Sequence, residues 1–252
     1  MQRYGSGDDS ERRVEYRAMM SELLQLLEHE EIVLWTHYLE NDKVGQRKRA
    51  LAILDEFVAK LLAAPLPRQD LFAEQVCRLV VDEGMVLPIR HSLAVKLLYP
   101  YLVRAYDGGS LRAPWWIAHL YYHLDNSREW RKWFETNNLT PWTLLEEALR
   151  REPTNDVARQ ELILVMARWL DYAIHEVPSG VLYGVNGATI DECQELLDVL
   201  DQFRALTRAR GALKLWEDRI REWELHFRGY ANYLSHRDQY TNYAHYLQAH
   251  TP

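Results

Sequence analysis

The chain of 252 residues has no long hydrophobic run and only two cysteines, 11 glycines and 9 prolines. The nearest approach to a membrane span, "LAVKLLYPYLV", is broken by Lys96 and Pro100, well short of the ~18 apolar residues that a spanning helix needs. No membrane association is therefore expected. Two cysteines, Cys77 and Cys193, are too few for a disulfide framework, and both fall in apolar helical patterns where a small buried thiol is the plain reading. The opening "MQRYGSGDDSERR" has no apolar stretch, so no signal peptide is expected, and a reducing cytoplasm is the expected compartment. Positive charge is also in deficit. The net charge is −7, which disfavours sequence-independent nucleic-acid binding and anionic lipid, and suits a basic partner.

The catalytic signatures with a clear mechanical meaning are missing too. There is no glycine-rich phosphate loop, dinucleotide fingerprint or nucleophile elbow. "HRDQYTN" (236–242) resembles a kinase catalytic loop but places three residues, not four, between Asp238 and Asn242, and no metal-binding D-F-G follows. No cofactor is expected.

What is present is ordinary globular composition, 48% hydrophobic and 27% charged, with a helical period nearly throughout. Residues 1–9 read as a disordered lead, and 10–252 as a single all-α domain with a candidate sub-domain break near 107–112, at "DGGS". An apolar pattern runs from Ser10 to about Glu40, and the polar "EHEE" at 28–31 offers a break in it. Further helices are expected over 113–124 and 127–137, and from about Arg90, with Pro100 a kink site. Thr140 and Pro141 read as N-cap and first helical residue, and Thr189 with Glu192 as a capping box. A helix from Asp156 is expected to end near Glu176, before a hairpin or loop over 178–188 in which Asn186-Gly187 supplies a tight turn. A last helix carries Leu213, Trp216, Ile220, Trp223, Phe227, Tyr230 and Leu234 as a seam. That seam is expected to pack on its own bundle, with a homodimer through 213–234 as the alternative.

Short connections predict packed antiparallel helical hairpins, as an irregular α-solenoid or an orthogonal bundle. "ALRREPTNDVA" (148–158) puts Ala148 five residues before Pro153, with Ala158 soon after, and so resembles the junction between two tetratricopeptide repeats. The tryptophan–leucine–glycine–tyrosine signature upstream is not in place, and no period of ~34 residues repeats elsewhere.

One stretch invites a chemical reading. "WWIAHLYYHLDNSREWRKWF" (115–134) crowds four tryptophans and two histidines into one segment, with His119 and His123 a helical turn apart. A zinc-protease helix needs glutamate after the first histidine, and Leu120 stands there, so no metal is expected. The aromatics are expected to be core, with Trp130 and Trp133 structural. Arginines and lysine at 47–49, arginines at 204, 208 and 210, and glutamates at 28, 30, 31, 146, 147 and 152 read as solvated helix faces. The glutamates alternatively form an acidic face for a basic protein. The functional expectation is a non-enzymatic interaction protein of inhibitor, immunity or adaptor type that binds another, basic protein. The alternatives are an enzyme with a dispersed, metal-assisted site near His119 and His123, and a small-ligand-binding helical bundle.

Overall fold

The computed structural model describes residues 20–124, 127–179 and 188–250, and every element among them is a helix. The fold is all-α. None of the described helices is long and apolar enough to cross a membrane. The chain divides between Leu144 and Leu145 into two compact units.

In the first unit, residues 20–25 form a short helix, and the break then falls at 26–28. Helix α1 (His29–Lys43) starts at Glu28, whose side chain and that of Glu31 form a reciprocal capping box. Helix α2 (Arg47–Ala63) folds back on α1, bringing Trp35 within 5.1 Å of Phe57. Helix α3 (Leu66–Cys77) adds Phe72 edge-on to Trp35 at 5.9 Å, and these rings form the centre of the unit's core. Helix α3 runs on into a π-helical turn, Arg78–Asp82.

The segment expected to start near Arg90 is composite: α4 (His91–Leu93), a π-helical turn (Ala94–Leu98), then α5 (Tyr99–Asp107). The cause is Pro100. It has no N–H, and its ring would strike the carbonyl four residues back, at Lys96, in an unbroken α-helix. The wider turn immediately before Tyr99 relieves that clash, so the proline produces a local register change. Helices α6 (Ala113–Leu124) and α7 (Arg128–Thr136) match the expected aromatic pair. Of the stretch 107–112, Asp107 is the last residue of α5 and 108–112 form its connection to α6.

Helix α8 (Pro141–Arg151) contains the division between the units. It opens as expected at Thr140, whose Oγ1 accepts from the Thr143 amide at 3.2 Å. In the second unit α9 (Asp156–Ser179) passes Pro178, three residues beyond the expected end; near a helix terminus a missing N–H disturbs only the last turn. The turn expected at Asn186-Gly187 lies outside the described residues. Ala148 and Ala158, the pair that resembles a repeat junction, are both buried where α8 gives way to α9.

Helix α10 (Ile190–Ala209) begins with the Thr189–Glu192 capping box. It ends in a Schellman closure: Ala212 N–H donates to Thr207 and Gly211 N–H to Arg208, with Gly211 at φ +71°. Helix α11 (Leu213–Ser235) folds back along α10, and α9 packs against both. The α11 seam is buried within the unit at Ile220, Trp223, Phe227 and Tyr230, with Phe203 of α10 edge-on to Trp223 at 5.2 Å. The tail is ordered through a 3₁₀ turn (Arg237–Gln239) and α12 (Tyr243–His250). Gly229 is what lets α12 approach: a Cβ there would stand 3.1 Å from the Tyr243 hydroxyl, which donates to the His226 carbonyl.

Candidate functional site

Trp115 and Trp116 are adjacent on α6, so their side chains leave the helix about 100° apart. Both nevertheless donate an indole N–H to one oxygen, Asp82 Oδ1, at 3.2 and 3.0 Å. Arg112 adds an ion pair to the same oxygen at 3.3 Å. The π turn before it ends at Asp82 and delivers the carboxylate, whose side chain is only 16% exposed, between the two rings. A carboxylate oxygen with three donors is committed to holding α6 against the end of α3. The second unit repeats the arrangement. Asp171 of α9 accepts from Trp223 Nε1 at 2.9 Å and pairs with Arg219, whose guanidinium lies 5.8 Å from the Trp223 ring centre. These ties give the tryptophans a packing role.

The rest of the 115–134 stretch agrees. Trp130 is fully buried, with its ring centre 3.8 Å from that of Tyr99. Trp133 differs from expectation: it is half-buried at the rim of the cluster, edge-on to Tyr106 at 5.6 Å. His119 is exposed and lies edge-on to Trp115 at 5.5 Å. The side chain of His123 falls outside the described structure. Among the described residues no three His, Cys, Asp or Glu side chains gather in a metal-binding group.

The thiols are both free and buried. Burial pushes the Cys193 thiol up to about 11 and raises Cys77 as well, so each is protonated at neutral pH and a poor nucleophile. Asp238 sits in the 3₁₀ turn and is exposed.

The charged faces sort into two kinds. The glutamates expected on the surface at 28–31 bond within the chain. Glu30 pairs with Lys60, and Glu28 and Glu31 both pair with Arg68. Glu31 corrects the surface reading outright: it is 4% exposed, because its carboxylate serves the capping box and Arg68 together. Glu147 is held by Arg150 and Arg151, each at 2.6 Å. Helix α10 is different. Asp191, Glu195, Asp198 and Asp201 are all exposed along it, and no lysine or arginine lies between Thr189 and Phe203. Among the described residues only Asp201 has a cation, Arg204 at 2.8 Å. Beside this stripe, between α10 and α11, a concavity of about 600 Å³ is lined by Arg204, Arg208, Lys214, Glu217 and Arg221 over Leu213 and Ile220. Periodicity showed the aromatic core. The Asp82 and Asp171 ties had no signal of their own beyond an arginine four residues before one clamping tryptophan in each unit, Arg112–Trp116 and Arg219–Trp223.

No family model, no curated protein and no solved structure matches this chain.

Proposed function

We propose that this is a non-catalytic interaction protein that binds a basic protein surface through the outer face of α10, in the manner of an inhibitor or adaptor. The observation that supports it is the run of four exposed carboxylates from Asp191 to Asp201, with one paired cation among them. Elsewhere acidic side chains such as Glu31 and Glu147 bond within the chain, so their charge is largely met by their own neighbours. The α10 stripe is left to solvent, where like charges repel and a cationic partner is attracted and oriented before contact. A net charge of −7 adds long-range attraction in the same sense.

The test is affinity capture with cross-linking from native cells, comparing the wild type with an Asp191→Lys/Glu195→Lys/Asp198→Lys variant that keeps its helical circular dichroism. A protein held by the wild type and lost by the variant is the expected result. An identical captured set from both would remove this surface from the function.

A further inference from the structure

Lys214, Arg221 and Arg228 stand seven residues apart on α11, two turns and about 10 Å from one to the next, and so share a face. Arg221 lines two concavities along it. One is the 600 Å³ groove between α10 and α11 at the hairpin end; the other, of about 340 Å³, lies between α11 and α12, where Glu224, Arg228 and Leu225, which is 58% exposed, face Tyr246 and His250. The side chains of Arg208 and Lys214 make no ion pair or hydrogen bond among the described residues. Among the described residues Arg221 pairs with the exposed Asp218, and Arg228 with Glu224, which Arg204 also holds; both arginines are themselves exposed, and such pairs exchange readily.

The carboxylate stripe on α10 has the same repeat: Asp191 and Asp198 are seven apart. Leu196, Leu200 and Phe203 of α10, with Trp223 and Phe227 of α11, are buried in the unit, and both charged stripes fall on the sides left exposed. One hairpin therefore carries, side by side, an acidic ridge and a basic groove of matching spacing. A surface with both halves of a contact is complementary to itself.

We propose that the α10–α11 hairpin docks on a second copy of this chain. The α10 carboxylates of one copy lie along the Lys214–Arg221–Arg228 track of the other, and two-fold symmetry forms the reciprocal contact at the same time. This rests on the reading of the α10 face as a contact surface and names its basic partner. The two hairpins then form a four-helix contact, with Leu225 supplying apolar surface among the charges.

Sedimentation equilibrium tests it, with four samples at low and high salt: wild type, Asp191→Lys/Asp198→Lys, Lys214→Glu/Arg221→Glu, and an equal mixture of the two variants. The expected result is a wild-type dimer weakened by salt, two monomeric variants, and a heterodimer restored on mixing, because each reversed face then meets its opposite. A wild type that stays monomeric, or a dimer that neither reversal weakens, overturns the proposal. If the wild type is monomeric while capture of another protein still depends on Asp191, Glu195 and Asp198, self-docking fails and the interaction surface stands. If capture is also indifferent to them, both fail.

Discussion

Trp130 and Trp133 lie three residues apart on one short helix and differ in what surrounds them. Trp130 is enclosed, so Trp130→Ala should leave a cavity and cost about 3–5 kcal/mol in chemical denaturation. Trp133→Ala should cost clearly less, because part of its surface is already in water. Equal losses would mean that the rim is as tightly packed as the centre. Glu147 gives a second residue-level test, this time of charge. Hydrogen bonds from Arg150, then Arg151, hold its carboxyl at about 2, against 4.5 for a free carboxyl. The unfolded chain therefore takes up the proton more readily across that window. Glu147 contributes its full stabilisation above about pH 4.5 and loses it as pH falls towards about 2. Thermal melts should show the gap between wild type and Glu147→Gln closing over that range; a gap independent of pH would contradict the pairing. Of these details little was readable in advance. The aromatic stripe showed in the spacing of Trp130, Trp133 and Phe134, but the burial of Glu31 depends on Arg68, which is 37 residues away. Only the fold brings such a pair together.

At the scale of elements, two glycines serve opposite ends. Gly211 closes α10 with positive φ in open space, so Gly211→Ala should cost about 1 kcal/mol from backbone strain alone and leave neighbouring helices in place. Gly229 has ordinary helical geometry but no room, so Gly229→Ala should push on Tyr243 and loosen α12. Hydrogen exchange separates the two: faster exchange confined to 243–250 is expected for Gly229→Ala and not for Gly211→Ala. Element boundaries were legible wherever the signal was local. The Thr189–Glu192 box and the Thr140–Pro141 start both act within a single turn of chain. The π-helical turns at Arg78–Asp82 and Ala94–Leu98 were not legible, since the second answers a clash at Pro100 and the first serves to deliver Asp82 to α6.

Across the whole molecule, each unit has its own aromatic centre, Trp35 with Phe57 and Phe72 in the first and Phe203 with Trp216 and Trp223 in the second. The all-α class followed from period alone, because a helix declares its buried face every three or four residues. The charge pattern of the α10–α11 hairpin was harder to see. Its carboxylates and cations read separately as solvated faces until the turn at Gly211 laid one helix along the other. The turn at Ala94–Leu98 has a bearing on which length variants of the chain can persist. A π turn holds one residue more than the α turn it replaces. Deleting a residue there would close the turn to a regular α-helix and press the Pro100 ring against the carbonyl of the preceding turn, the clash that the wider turn relieves. Natural variants that gain or lose a residue should therefore place the gap in exposed connections, such as those at Gly45 or Gly109, and keep the count between His91 and Asp107 unchanged.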